Sequence, residues 1–223
     1  DGANIQAKSL TTLYAQWIEA RAMFDTGASV NTKMKRLAGN ASVLSFSSDT
    51  NITSIQKSST MPDISSMTSD NIVSTSTLYI PIYMWYDNGT IYWWSEDSNP
   101  SLNQSSSYMF YNFKGLTSID LTSFDTSNVT ITFHMFSECS SLTSLDLGDN
   151  FDTSNVKLMS FMFVQCSSLT SLDLGDKFDT SKVTSMWNMF YSCSSLETIY
   201  ATDLFVTTAV TDSANMFSND TKL

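Results

Sequence analysis

LTSLDLGDNFDTSNVKLMSFMFVQCSS, at residues 142–168, is followed directly by a near-copy, LTSLDLGDKFDTSKVTSMWNMFYSCSS, at residues 169–195. The same frame recurs upstream at residues 116–141 and, in a degraded form, downstream at residues 196–217. Cys139, Cys166 and Cys193 keep the same step of 27 residues. A repeat of this period is typical of stacked supersecondary units, none of which buries its apolar residues alone.

Each repeat contains two different hydrophobic periods. Leu172 and Leu174 alternate with Asp173, which is typical of a short strand. The second half of the repeat has apolar residues at i, i+3, i+6 and i+7, which favours one side of a short helix: Val183, Met186, Met189 and Phe190. The sequence therefore predicts an α/β repeat fold, a leucine-rich-repeat-like solenoid with a short parallel strand and a short helix in each coil of about 27 residues. The positions expected in its core include Val156, Met159, Met162, Phe163, Leu169, Leu172 and Leu174.

The sequence motif of the repeat is specific enough to compare with a protein family. FDTSNV stands at 124–129 and 151–156, FDTSKV stands at 178–183, and each is followed by a Met-Phe pair and then by a CSSL motif. This pattern resembles the repeat of BspA-like leucine-rich-repeat surface proteins of bacteria, from Tyr108 onward. The segment at 81–95 resembles the module that precedes these repeats in the family. The resemblance implies a secreted, surface-displayed, adhesin-like binding protein, and it supplies no catalytic residues.

Three regions are expected along the chain. Residues 1–20 contain TTLYAQW, which resembles the closing strand of small β-repeats in bacterial surface proteins, so we interpret them as the stub of such a repeat; an ordinary amphipathic segment is the alternative. Residues 21–107 are expected to form an N-terminal helix at 29–38 and a β-rich cap with a hairpin at 80–95. Residues 108–223 are expected to form the solenoid.

The hairpin carries the first candidate binding site. Asn88-Gly89 lies between two β-rich runs and predicts a two-residue turn. Pairing outward from this turn places four rings on one face: Tyr83, Trp85, Tyr92 and Trp94. We interpret this aromatic face as a binding platform, because such rings stack on sugars or on peptide side chains. The alternative is that the hairpin lies between the N-terminal helix and the first coil and covers the end of the core.

A row of carboxylates is the second candidate site. Asp120, Asp146 and Asp173 occupy one outward position on successive predicted strands. Like charges so placed repel each other, so a cation or a basic partner could be accommodated there; the alternative is a solvated acidic strip. No metal or cofactor is predicted, because calcium-loop spacing is absent. A second set, Asp125, Asp152 and Asp179, is expected to form turns.

The cysteines and the lone histidine do not indicate catalysis. The three cysteines lack the CxxC spacing of a zinc or redox site. Stacked neighbours would lie within disulfide distance, but one thiol would always remain, so free buried thiols are predicted. His134 shares its column with Tyr108, Phe161, Asn188 and Asn215, and such a variable position is expected at the surface. No motif of a hydrolase or a phosphate-binding loop is present.

Composition narrows the possible partners. The net charge of −11 and the pI near 4.2 argue against nucleic acid and anionic membranes. No apolar run is long enough to cross a membrane. We expect an extracellular, monomeric fragment of a longer protein that binds a protein or glycan at a cell surface. A passive stalk that displays other domains is the alternative, and a hydrolase is retained only as a third class.

Overall fold

The computed structural model describes residues 21–40, 46–75 and 80–223. Within these ranges the fold is mixed α/β, with one α-helix, α1 (Gly27–Leu37), and two small sheets. The strands are β1 (Ser54–Lys57), β2 (Ile82–Asp87), β3 (Thr90–Ser95), β4 (Ser118–Ile119), β5 (Ser144–Asp146), β6 (Ser171–Asp173) and β7 (Thr198–Tyr200). Two single 3-10 turns lie at Ile64–Ser66 and Ser69–Asn71. The predicted β-repeat stub lies outside the described residues.

Helix α1 begins two residues before the predicted start. Its apolar side packs into the core through Val30 and Met34, which are fully buried. Gly39 ends it as predicted, with a φ of +91° that favours glycine. Gly27 allows the close approach of α1 to the segment before the first repeat, since a Cβ there would clash with the carbonyl oxygen of Ser107.

The first sheet joins the N-terminal region to the repeats. Its strand order is β2-β3-β1-β4, with β2 and β3 antiparallel and β1 parallel to both β3 and β4. The hairpin register is the predicted one, with Trp85 opposite Tyr92 and Tyr83 opposite Trp94. Because β4 belongs to the first complete repeat, the sheet continues from the hairpin into the repeat region.

The second sheet joins the repeats to one another. Its strands β5, β6 and β7 are parallel, and Leu145 pairs with Leu172, which pairs with Ile199. A separate line of parallel bridges runs through Ile131, Leu158, Ser185 and Asp212. From β5 onward, each repeat is therefore bonded to the next along two lines, whereas β4 lies in the first sheet and its repeat is joined to the next through the bridge line.

The predicted fold class, a leucine-rich-repeat-like solenoid with a helix in each coil, is wrong. Residues 108–223 form no helix, and the second half of each repeat is a series of turns. The backbone N–H groups of Met162 and Val164 donate to the carbonyl oxygens three residues earlier in the chain, at 3.2 and 3.3 Å. The N–H group of Phe163 donates instead to the carbonyl oxygen of Met189 in the next repeat, at 2.9 Å. The bonds to i−4 that define a helix are therefore not made. Three-residue turns produce the same i, i+3 spacing as a helix does.

The predicted core is confirmed. Val156, Met159, Met162, Phe163, Leu169, Leu172 and Leu174 each have no exposed surface. The phenylalanines at one repeat position form a column, in which the rings of Phe136 and Phe163 are 5.6 Å apart and those of Phe163 and Phe190 are 5.4 Å apart. Their planes are parallel within 5° and 1°. Equivalent side chains therefore pack directly on one another from repeat to repeat.

Candidate functional site

The structure brings the four predicted hairpin rings together. Tyr83 and Trp94 have ring centroids 6.4 Å apart and planes within 25°, and Trp85 and Tyr92 have centroids 5.7 Å apart and planes within 23°. All four side chains are half-buried. The cross-strand pairing thus produces a continuous aromatic face that remains accessible in part.

The opposite face of the hairpin covers the core. Ile82, Met84, Ile91 and Trp93 are fully buried there. The ring of Trp93 stacks on that of Phe124 in the first complete repeat, with ring centroids 5.1 Å apart and an angle of 26° between the planes. The hairpin therefore does cap the end of the core, as the alternative interpretation expected, but it does so with its aliphatic and Trp93 face and not with the aromatic face.

An open pocket of about 300 Å³ adjoins the aromatic face. Trp85 forms one wall, and the other walls come from the two 3-10 turns and the residues beside them: Pro62, Asp63, Ser66, Met67 and Asn71. Asn71 anchors this segment, because its Nδ2 donates a hydrogen bond of 2.7 Å to the carbonyl oxygen of Met84. The pocket is consequently held in a fixed position beside the ring of Trp85.

The predicted row of carboxylates has a structural role. Asp146 and Asp173 lie directly opposite each other in the sheet, and the next position in register is Tyr200. Each carboxylate accepts a hydrogen bond from the backbone N–H two residues later, which closes a turn: Thr122 for Asp120, Gly148 for Asp146 and Gly175 for Asp173. Asp125, Asp152 and Asp179 do the same with Ser127, Ser154 and Ser181, as predicted. Among the described residues, no group of three or more acidic, histidine or cysteine side chains is arranged to hold a metal ion.

The cysteines are free and buried, as predicted. Each thiol donates a hydrogen bond to a backbone carbonyl of the preceding repeat, at 3.1 Å for Cys139 to Phe110 and 3.0 Å for Cys193 to Phe163. Burial raises the pKa of the Cys139 thiol to about 12. Because the thiolate is the reactive form, burial disfavours reaction of these thiols in the folded chain.

A second cluster of rings, which we call the aromatic ridge, was not predicted. Its members come from successive repeats and lie partly exposed: Tyr108, Tyr111, Phe133, His134, Phe161 and Trp187. The ring of His134 lies between the rings of Tyr108 and Phe161 and is parallel to both within 13°. Its centroid is 5.2 Å from that of Tyr108 and 4.5 Å from that of Phe161. Phe161 contacts Trp187 edge-on at 4.8 Å, and Trp187 is 41% exposed.

His134 takes part in the ridge as a neutral ring. Burial lowers its pKa to about 4, although the nearby Glu138 opposes this shift. Its Nδ1 is 2.8 Å from Ser137 Oγ, and that hydroxyl donates its own proton to the carbonyl oxygen of Phe161. We therefore assign the proton of His134 to Nδ1, which leaves no role for this residue as a base toward Ser137.

Three of the six ridge residues are held in a costly backbone conformation. Tyr108, His134 and Phe161 have φ values of 64°, 56° and 61°, in the left-handed region. Asn188 and Asn215 occupy the same position in the later repeats, and asparagine adopts this conformation readily. A bulky residue loses about 1–2 kcal/mol there. The sequence showed this column, but its variation indicated only a surface position.

A groove adjoins the ridge and crosses the repeats; we call it the polar groove. Its volume is about 410 Å³, and it is lined by Lys114, Glu138, Ser140, Gln165, Ser167, Ser192, Ser194 and Asn219. Glu138, Gln165, Ser192 and Asn219 occupy one repeat position, each with a φ between 59° and 69°. The ridge and the groove meet at Tyr111, whose hydroxyl donates a hydrogen bond of 2.9 Å to Glu138.

Comparison with known proteins identifies the repeat region. A family model described as "Mycoplasma protein of unknown function, DUF285" matches residues 104–223, more than half of the chain. No curated protein and no solved structure shows a significant match. In the described part of the chain, no helix has the length and apolar character needed to cross a bilayer.

Proposed function

Because the chain belongs to this family, we propose that it is an adhesin-like binding module of a bacterial cell surface, without catalytic activity of its own. Its ligand is a protein or a glycan on a host or microbial surface. The likeness of the FDTSNV repeats to those of BspA-like surface proteins supports the extracellular location.

The observation that carries this proposal is the aromatic face of the hairpin. Tyr83, Trp85, Tyr92 and Trp94 stay half-buried, although four residues on the other face of the same two strands are fully buried: Ile82, Met84, Ile91 and Trp93. Contiguous exposed rings are unusual unless they bind something, and large rigid rings provide contact area at a low entropic cost. The pocket beside Trp85 offers a place for a ligand side chain.

One observation favours a passive stalk as the second candidate. The strand face of the repeats is polar, with Thr143, Ser144 and Asp146 exposed, and its carboxylates serve to close turns. A stalk needs only such a solvated surface. It does not account for the half-exposed rings at the hairpin.

The proposal is tested by binding of the intact chain to immobilised extracellular-matrix proteins and glycans. Trp85→Ala and Trp94→Ala are each expected to weaken binding by about 2 kcal/mol or more without loss of folding. Tyr200→Ala, which removes an exposed ring on β7, is the matched control and should bind normally. A chain that binds none of these surfaces, or hairpin variants that bind as well as the unmodified chain, would favour the stalk.

A further inference from the structure

The polar groove has a backbone held by hydrogen bonds to the next repeat, and the side chains of Gln165 and Asn219 are exposed along it. Two of its polar groups are already engaged within the chain: Glu138 accepts from the Tyr111 hydroxyl, and Asn219 Nδ2 donates to Ser192 Oγ at 3.1 Å. The backbone N–H groups of Glu138, Gln165 and Ser192 bond carbonyl oxygens of the next repeat at 2.8 to 2.9 Å. This fixes their Cα positions one repeat apart, whereas the side chain of Gln165 is exposed. From Glu138 to Asn219 there are three such steps of about 4.8 Å, so the row spans roughly 14 Å. The binding groups are therefore arranged in a line before any ligand arrives.

The chemistry of the groove favours hydroxyl groups as its partners. Its lining consists of serine hydroxyls, the amides of Gln165 and Asn219, one carboxylate and one amine. Amides and hydroxyls both donate and accept hydrogen bonds, as the hydroxyl groups of a sugar do. Glu138 and the net charge of −11 disfavour an anionic ligand.

A peptide fits this groove poorly. The backbone N–H groups of Glu138, Gln165 and Ser192 are already bonded to the neighbouring repeat, so these three are not available to an added strand. The lining also offers no apolar pocket for the large side chains that supply most of the affinity of a protein interface.

The aromatic ridge supplies the apolar component that a sugar requires. Tyr111 packs edge-on against His134 at 5.6 Å and also donates its hydroxyl proton to Glu138. Tyr111 therefore places one end of the ridge directly beside Glu138, at one end of the row of polar side chains. Sites for small ligands combine aromatic walls with a few fixed polar groups in this way.

From this arrangement we infer that the polar groove binds a neutral oligosaccharide, which lies across the repeats with its hydroxyl groups on Glu138, Gln165 and Asn219 and its apolar edge toward the aromatic ridge. This inference deepens the proposed function, on which it rests, by adding a second site with a defined ligand class. It does not involve the hairpin.

The test is a titration of the isotope-labelled intact chain with neutral tetrasaccharides of glucose, mannose, galactose and N-acetylglucosamine, followed by NMR chemical shifts. Sialyllactose and a heparin tetrasaccharide serve as charged comparators. We expect saturable shifts at Gln165, Ser192 and Asn219 with at least one neutral sugar. Gln165→Ala and Asn219→Ala should each weaken that binding about five- to tenfold. Tyr200→Ala, an exposed ring outside the groove, should leave it unchanged.

Three results would overturn the inference: no saturable shift in the groove with any neutral tetrasaccharide, binding of the charged comparators alone, or groove shifts produced only by matrix-protein peptides. Failure of the proposed function is a separate result. Adhesion to deglycosylated matrix proteins through Trp85 with an unperturbed groove would leave the proposed function intact. If the chain binds a sugar in the groove but adheres to no surface, the proposed adhesion is refuted and the inferred sugar site stands.

Discussion

The thiol of Cys166 donates a hydrogen bond to the backbone carbonyl oxygen of Phe136, 3.2 Å away in the preceding repeat. Both atoms are in the core, and Cys139 and Cys193 repeat the contact at equivalent positions. A thiol is only a weak donor, so the greater consequence of this arrangement is chemical. Sealed in a column between repeats, the sulfur atoms are kept protonated and out of reach of reagents.

We therefore predict that no thiol reacts in the folded chain. In Ellman titration at neutral pH, Cys139, Cys166 and Cys193 should be silent, because burial raises the pKa of each thiol. After unfolding in guanidinium chloride without reductant, all three should react. A single reactive thiol in the denatured chain would reveal a disulfide, and rapid reaction before denaturation would show that the column is open.

Alkaline pH should destabilise the chain. Thiols of the unfolded chain ionise near pH 8.5, at about the ordinary value, whereas the pKa of Cys139 is raised to about 12 when folded. As pH rises above about 8.5, the unfolded state thus binds fewer protons than the folded state, and the free energy of unfolding falls.

Lys35 acts in the opposite direction. Burial lowers its pKa from 10.5 to about 8, although Asp49 opposes this shift, so between these values the folded chain has released a proton that the unfolded chain still holds. The destabilising effect of three thiols on the free energy of unfolding exceeds the stabilising effect of one amine. The urea concentration at the unfolding midpoint should therefore decline from about pH 9 upward. Cys139→Ser should make the decline shallower. A midpoint that stays constant up to about pH 11 would contradict the assignment of the shifts.

Met162→Ala should lower the free energy of unfolding by about 2–5 kcal/mol. Met162 has no exposed surface and lies in the continuous core of the repeats, where a cavity cannot be filled by solvent. Lys157→Ala is the matched control in the same repeat, because its side chain is exposed, and it should change the free energy by less than about 0.5 kcal/mol. Chemical denaturation measures both. Equal effects would argue against a core shared between repeats.

Gln165→Gly should stabilise the chain by up to about 1 kcal/mol and at the same time weaken binding of a neutral oligosaccharide. Gln165 has a φ of 59° and an exposed side chain, so glycine relieves the backbone cost and loses little packing. Lys157→Gly, also exposed but without a positive φ, should destabilise. Melting temperatures give the comparison. Destabilisation by Gln165→Gly would show that the side chain stabilises the fold.

The hairpin was predictable in detail because its determinants are local. Asn88-Gly89 fixes the turn, and the alternation of the two strands then decides which rings share a face. The core columns were predictable because each repeat copies the last. The predicted helix failed because a three-residue turn and a helix give the same apolar spacing. The two structures differ in where the backbone N–H groups bond, either to a carbonyl oxygen of the same segment or to one of the next repeat. That choice depends on the adjacent repeat, whose position the apolar pattern of one repeat does not show.

Contacts over long sequence distances account for the features that were missed. Lys35 lies in the last turn of α1, and its ammonium group donates to the carbonyl oxygens of Ser47, at 2.7 Å, and Tyr111, at 3.0 Å. It also lies 5.1 Å from the ring centroid of Phe113. Likewise, the left-handed backbone of Tyr108, His134 and Phe161 is visible only in three dimensions.

The bonds between repeats also determine how the chain responds to a pulling force. Hydrogen bonds such as those from Phe136 to Met162 and from Phe163 to Met189 connect adjacent repeats and run along the stacking direction. Tension applied along that direction would load one interface at a time, and each detached repeat of 27 residues would lengthen the chain by up to roughly 90 Å. A protein built in this way would yield in steps and absorb mechanical work while its remaining repeats stay folded.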